Sequence, residues 1–329
     1  MICFFSINRD VSVGSYRIWI KDLNNYLQQI GVQSIITSDP SELQKYKIII
    51  VSKAHANAVN QIKEAFPNKK IGIINLAANQ INNKSDFAIV GSIEEKVSLS
   101  WHPNVFVFPL IENLFQNTRI KIHNKNSKIK LCYHGNTAHL SKFEFGLRQA
   151  IEKLEKNHKL ELHVITGDPS YNWQYGRPKI KNLIMKKWNI NTIKEDILEC
   201  DIGLSPNITN LTEYNENYKP IINNEFGLHD TDYFLRLKNK SNAGRSFVFH
   251  QLGLPVIADL TPSNFHIMGG LDCGYFAADK NSWYNSLIAL LDYKHRQKVA
   301  SNARKEFDRL YDPREWSKSL IEKINKLEK

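Results

Sequence analysis

The chain has 329 residues, 42% of them apolar and 11% aromatic, which suits two hydrophobic cores better than one and excludes a disordered tail. Its net charge of +11, mostly from lysine, favours anionic partners such as nucleotides, nucleic acid or an acidic membrane face. No apolar run approaches the roughly 20 residues that cross a bilayer. The start, residues 1–7, is apolar without a basic leader and runs at once into Arg9 and Asp10, so it is expected to be a strand and not a signal peptide. Cys3, Cys132, Cys200 and Cys273 lie far apart and form no C-x-x-C, so a reduced cytoplasmic protein without a zinc site is expected.

Residues 2–7 are followed by a polar loop, 8–15, and by a helical pattern over 16–30 with Ile20, Leu23, Leu27 and Ile30 on one face, closed by Gly31. A strand, a Gly/Ser loop and a helix in that order put the loop at the carboxyl edge of a parallel sheet, where open α/β sheets bind ligands. The loop lacks the G-x-G-x-x-G dinucleotide pattern. Gly14, Ser15 and Arg17 are its candidate binding residues. Arg17, in the first helical turn, sits where a cation is unfavourable, so either a bound anion or carboxylate compensates it or it is a solvated surface residue. Strand-like runs follow at 34–37, 47–51, 71–75, 87–90 and 105–108, with helical segments such as 54–66 between them. Ser92 and Glu95 have capping-box spacing. This alternation predicts a doubly wound parallel sheet.

Residues 113–127 are polar and read as an interdomain linker. A second series begins at Lys128: strand 129–133, the loop His134-Gly135-Asn136-Thr137, helix 143–155, strand 160–166 ending in Gly167-Asp168, helix 191–199, and a short strand with its turn at 201–206. Residues 207–237 show little periodicity, and a loop of that length is usually functional or mobile. Then come the polar loop Lys240-Ser241-Asn242, a short helix with Phe247, Val248 and Leu252, Gly253 as its terminator, Pro255 as a stop, and the strand 256–258. A turn at 259–263, a short run at 274–276 and lysine-rich helices complete the chain. The last helix starts near Pro313 and carries Trp316, Leu320, Ile321 and Ile324 at helical spacing.

The ordered set of Gly14-Ser15-Tyr16-Arg17, the 86–92 stretch DFAIVGS, His134-Gly135-Asn136, the 200–206 stretch CDIGLSP, and Lys240-Ser241-Asn242 with the 252–258 stretch LGLPVIA resembles glycosyltransferases of the two-Rossmann-domain (GT-B) architecture, in particular bacterial group 1 enzymes. The resemblance implies an α/β fold of two Rossmann-like domains facing a central cleft. Residues 1–112 would form the acceptor domain, 113–127 the linker, 128–310 the nucleotide-sugar donor domain, and 311–329 a helix packing back toward the first domain. It implies transfer of a sugar from a nucleotide-sugar to a glycan or lipid-linked acceptor in surface polysaccharide synthesis, with no cofactor beyond the donor substrate. Cytoplasmic location and a peripheral contact with the cytoplasmic membrane face would follow. The sequence departs from the family at Val248, where many retaining members carry an acid, and at Asn136, where an Arg is common, with Lys142 as a nearby cationic match. Inversion or retention therefore stays open.

In such a transfer the departing diphosphate gains negative charge, which an enzyme without a metal must meet with cations and N–H dipoles. Lys240 and Arg245, with Ser241 and Asn242, are the candidates at a helix entrance, and Lys142 is a second cation. His134, Gly135, Asn136, Thr166, Gly167, Ser205 and Pro206, at strand ends, are the candidate donor contacts. Asp10 is either a general base on the acceptor side or a turn-forming residue. Asp230-Thr231-Asp232 has the D-x-D form of a metal site but does not follow an apolar strand, so it is read as loop polarity. A nucleotide-sugar epimerase of the same architecture and a non-enzymatic nucleotide or anion binder are the alternatives. Nucleic acid is not an expected partner, because the basic residues are scattered and not interleaved with aromatics.

Overall fold

A computed structural model describes residues 1–77, 79–144, 146–207, 242–270 and 272–327, and the backbone of four two-residue strands within 222–238. The chain divides into two compact units: Met1–Asn113, Asn223–Leu228 and Tyr311–Lys329 in one, Leu114–Ile222 and His229–Leu310 in the other.

The first unit holds six strands, β1 (Ile2–Phe5), β2 (Ser34–Thr37), β3 (Ile48–Val51), β4 (Lys70–Ile74), β5 (Phe87–Val90) and β6 (Val105–Val107). They form one sheet in the order β2-β1-β3-β4-β5-β6, and every pairing is parallel. Alternate residues serve opposite faces. Ile2, Phe4, Ile48 and Ile50 join one core, while Cys3, Phe5, Ile49 and Val51 join the other. A strand buried on both sides needs apolar residues at every position, which explains the unbroken runs ICFF and IIIV. The helices are α1 (Gly14–Tyr16), α2 (Leu23–Gln29), α3 (Ala58–Ala65) and α4 (Ile93–Ser98). Between α1 and α2, Arg17–Asp22 is a π turn, where the sequence pattern indicates plain helix. Ser92 caps α4 by accepting the Glu95 N–H at 3.1 Å.

The second unit holds β7 (Ile129–His134), β8 (Leu160–Thr166), β9 (Leu183–Lys187) and β10 (Ile202–Ser205). The short strands β11 (Ile222–Asn223) and β12 (Leu228–His229) are each divided between the two units, while β13 (Thr231–Asp232), β14 (Leu237–Lys238), β15 (Val256–Asp259) and β16 (Tyr275–Ala277) lie in the second. Its main sheet runs β16-β15-β10-β7-β8-β9, again all parallel. The first strand, β7, lies in the middle, with its successors leading away on one side and β10 starting the other. That reversal is the topological switch point of a Rossmann sheet. The helices are α5 (Leu147–Glu155), α6 (Ile193–Leu198), α7 (Gly244–Leu252), α8 (Pro262–Met268), α9 (Lys280–Ala289) and α10 (Tyr293–Leu310). Three elements differ from the sequence expectation. The helix α8 begins at Pro262, inside the expected turn 259–263, and runs to Met268; β9 is a strand where the sequence pattern predicts none; and α5 begins at Leu147 because a 3-10 helix, Thr137–Glu144, precedes it. Leu131 and Tyr133 of β7, Leu162 and Val164 of β8, and Leu147, Ile151 and Leu154 of α5 share one core with Trp283 and Leu287 of α9.

From Leu114 on, the polar segment is fastened along this second unit. The Lys121 N–H donates to Leu252 O at 2.9 Å, and its ammonium to Leu198 O at 2.7 Å. The His123 N–H donates to Gln297 Oε1 at 2.8 Å. The last helix, α11 (Pro313–Asn325), belongs to the first unit, where Leu320 and Ile324 pack in one core with Tyr26 and Leu27 of α2. Among the described residues no helix is long and apolar enough to cross a membrane.

Candidate functional site

The loop after β7 and the loop after β10 meet at the switch point of the second sheet, and Arg245 joins them. From the first turn of α7 its Nη1 donates to Asn207 Oδ1 at 3.0 Å and to Pro206 O at 3.4 Å. Its Nη2 donates to His139 Nδ1, which requires the His139 ring to present a lone pair there. The guanidinium carbon lies 5.0 Å from the centre of the Tyr133 ring, within cation–π range. Tyr133 is fully buried, and its hydroxyl donates to Asn136 O at 2.9 Å, tying the loop to the strand it leaves. Burial pushes the Tyr133 phenol up, and Arg245 pulls it back.

Gly135 is required in this loop. Its φ is +142°, and a Cβ there would stand 2.9 Å from Arg245 Nε and 3.3 Å from the Tyr133 hydroxyl. Asn136 opens the 3-10 helix that follows by accepting the Ala138 N–H at 2.8 Å. His134 is 8% exposed and sits edge-on to Phe249 at 5.0 Å between ring centres, so it is held in the core below the loop. Lys142 is half-buried on that 3-10 helix. Thr166 and Gly167 end β8, and Ser205 and Pro206 end β10, so the topology brings these residues to the same carboxyl edge. Thr166 and Ser205 are buried there.

At the entrance of α7, Asn242 Oδ1 accepts the Gly244 N–H at 3.2 Å. At its exit Gly253 takes the left-handed conformation, φ +74°, that ends the helix. Below the loop after β15, Asp259 accepts the Asn207 N–H, and the Asn264 amide donates to Asp259 O at 3.0 Å and accepts the Ser246 hydroxyl at 2.9 Å. Lys240, Ser241 and Asp230 lie outside the described residues, as does the Asp232 side chain. Among the described residues no cluster of three His, Cys, Asp or Glu side chains has metal-binding geometry. His139 and Asn207, the two side chains that seat Arg245, escape sequence reasoning. Neither has a motif, and they meet only because β7 and β10 are neighbours.

In the first unit the loop 8–15 also lies at a switch point, since β1 sits between β2 and β3. It is joined to the loop after β3 through the Ile7 N–H, which donates to His55 Nε2 at 3.1 Å. Gly14 and Ser15 begin α1 at the end of this loop. Asp10 Oδ1 accepts the Ser12 N–H and Oδ2 the Ser12 hydroxyl, both at 2.8 Å. Those bonds hold its carboxyl below the usual range, which suits the turn-forming role and opposes a proton-accepting one. Arg17 is neither a solvated residue nor a side chain reaching from the loop. It is 7% exposed, and its guanidinium turns inward to Glu112, with Nη2 to Oε2 at 2.9 Å. The compensating carboxylate comes from ninety-five residues away in the chain.

No family model matches the chain, and no curated protein matches it in sequence. Its fold does have matches. The sucrose-phosphate synthase of Thermosynechococcus elongatus superposes with a TM-score of 0.64 at 12% identity, over 99% of this chain and 98% of that one. Anabaena HepE, solved in complex with UDP and glucose, gives 0.60 at 12% identity over 99% of each chain. S. aureus TarM, solved as a point mutant with fondaparinux, alpha-GlcNAc-glycerol and UDP, gives 0.53 at 12% identity over 84% of this chain, which spans only 55% of TarM. With two all-parallel Rossmann-like sheets and helices interleaved, the chain has the two-domain α/β fold that these proteins share, the GT-B fold.

Proposed function

We propose that the chain transfers a glycosyl group from a nucleotide-sugar, with the donor diphosphate received at the switch point of the second sheet. The observation that carries this reading is the placement of Arg245: a cation at the carboxyl ends of β7 and β10, seated by His139, Asn207 and Tyr133, against a glycine whose missing Cβ leaves room for the guanidinium. Breaking the bond between the sugar and the diphosphate moves negative charge onto the leaving oxygens. A fixed guanidinium and the first N–H groups of α7 favour that charge without reorganising. Lys240, Ser241 and Asn242 precede the same helix and are proposed as further donor contacts, with Lys142, His134, Gly135, Asn136, Thr166, Gly167, Ser205 and Pro206 shaping the edge. UDP in the HepE and TarM structures supports a nucleotide-sugar donor for this chain too.

The loop 8–15 of the first unit is proposed to receive a glycan or lipid-linked acceptor, with Gly14 and Ser15 as its binding residues. The net charge of +11 suits work at an anionic cytoplasmic membrane face, in surface polysaccharide synthesis. No metal or other cofactor is proposed. The test is a thermal-shift panel of nucleoside mono- and diphosphates, since a ligand bound only by the folded chain raises Tm. One base is expected to stabilise, the diphosphate more than the monophosphate. A panel without any shift would overturn the reading.

A further inference from the structure

Three side chains of one helical run hold three consecutive residues at the point where the chain leaves the first unit. The Tyr26 hydroxyl donates to Ile111 O at 3.2 Å. Arg17 Nε and Nη2 donate to Glu112 Oε2 at 3.3 and 2.9 Å. The Asn113 N–H donates to Asp22 Oδ2 at 3.0 Å. In a regular α-helix, residues five apart point about 140° away from each other. The π turn Arg17–Asp22 reduces that divergence, since it closes on i+5, and so brings both side chains to the same short segment. On its other side Arg17 Nη1 donates to Val11 O at 2.9 Å and Ser12 O at 3.3 Å, in the loop after β1.

The arrangement is costly as a stabilising device alone. Arg17, Asp22 and Glu112 are all less than a tenth exposed. Burial pushes the Glu112 carboxyl up against the pull of Arg17. The Asp22 carboxyl is pushed up to about 7, by burial first and by Glu112 in addition, against the Asn113 N–H and Arg17. A buried ion pair generally gains little over well-packed apolar residues of similar size.

We infer that Arg17 and Glu112 are positioning residues: one buried charge pair that ties the conformation of the loop 8–15 to the segment 111–113 by which the chain leaves the first unit. A shift of the loop is then felt at residue 113, and a shift at residue 113 is felt in the loop. The inference rests on the proposed function only for the loop's part in acceptor binding; the mechanical coupling stands apart from it.

The test is hydrogen exchange on the full chain, read separately over residues 10–17 and 111–113, for Glu112→Gln and for the double variant Arg17→Met with Glu112→Met. In Glu112→Gln, exchange over 10–17 is expected to rise about tenfold or more, the ratio for losing a hydrogen bond between charged groups. The double variant is expected to return to near the parent Tm while exchange over 10–17 stays raised. In transfer assays it raises the acceptor KM and leaves nucleotide affinity unchanged. Exchange over 10–17 equal to the parent in the double variant would overturn the inference, whatever Glu112→Gln does, because an apolar pair would then hold the loop equally well. Absence of nucleotide binding in the parent would instead overturn the proposed function, and the exchange result would still decide the coupling.

Discussion

The Arg245 guanidinium lies 5.0 Å from the centre of the Tyr133 ring, and the Tyr133 hydroxyl holds the loop that carries Gly135. Ring and hydroxyl therefore do separate things, and two substitutions separate them. Tyr133→Phe keeps the ring under Arg245 but frees Asn136 O, and is expected to cost about 1 kcal/mol of stability with a small loss of nucleotide affinity. Tyr133→Leu also removes the cation–π contact, and a further ~0.5–2 kcal/mol in nucleotide binding is expected to go with it. Calorimetric titration alongside chemical unfolding checks the pair. Equal nucleotide affinity in both variants would show that Tyr133 has no hold on Arg245.

Gly135→Ala adds one methyl group where two things exclude it, a φ of +142° and Arg245 Nε at 2.9 Å. Strain of this kind is worth about 1–3 kcal/mol, and relief requires the loop or Arg245 to move. The expected outcome is a lower Tm together with weaker nucleotide binding. A matched substitution at Gly167, where a Cβ meets nothing within 4 Å, is expected to leave Tm nearly unchanged.

His250 is fully buried in α7, and neither ring nitrogen has a hydrogen-bond partner among the described residues. Burial pushes its pKa down to about 3. Above the unfolded value of about 6.5 both states are neutral, so pH has no effect through this group. As pH falls below that, the unfolded chain takes the proton first and stability declines by about 1.4 kcal/mol per pH unit until the folded value is reached. Burial depresses His123 to about 4, and it adds to the decline with the same sign. His250→Leu is expected to stabilise the chain by about 1–2 kcal/mol at pH 7, since an unpaired polar group leaves the core. It is also expected to reduce the loss between pH 7 and 5 by about 2 kcal/mol. Urea unfolding at the two pH values is the check, and an unchanged pH dependence would contradict this account of His250.

Nucleotide binding is expected to survive chelation, because in the proposed site a guanidinium and helix N–H groups supply the positive potential for the phosphates. The comparison is affinity with EDTA, without it, and after addition of Mg²⁺ or Mn²⁺. Binding lost to EDTA and restored by either ion would move the phosphate contact to a metal ion held by Asp230 and Asp232.

Both sheets were legible in the sequence, because strands buried on two faces leave unbroken apolar runs such as IIIV at 48–51. β9, LIMKK at 183–187, was not, since it is an edge strand that is half exposed and carries two lysines. Gly253 could be expected as a helix terminator because its neighbours Leu252 and Pro255 constrain the choice. Arg245 could be named from its place before a helix, but its seat could not: His139 and Asn207 are 106 and 38 residues away. The same limit hid the partner of Arg17. A first-turn arginine looks exposed until Glu112 is folded against it. Local pattern reports which residues face a sheet, whereas sheet order decides which loops meet.

The most direct test of the central claim is calorimetric titration of UDP, GDP, ADP, CDP and dTDP, in EDTA, into the parent, Arg245→Lys and Arg245→Ala, with Tm measured on each. The parent is expected to bind one of them. Arg245→Ala is expected to bind it about 10²–10³-fold more weakly, the range for one preorganised donor at a charged centre. Arg245→Lys should fall between, since it keeps the charge but loses the planar fork that spans His139 and Asn207. A folded Arg245→Ala chain that binds the diphosphate as tightly as the parent would contradict the account and place the phosphate site elsewhere.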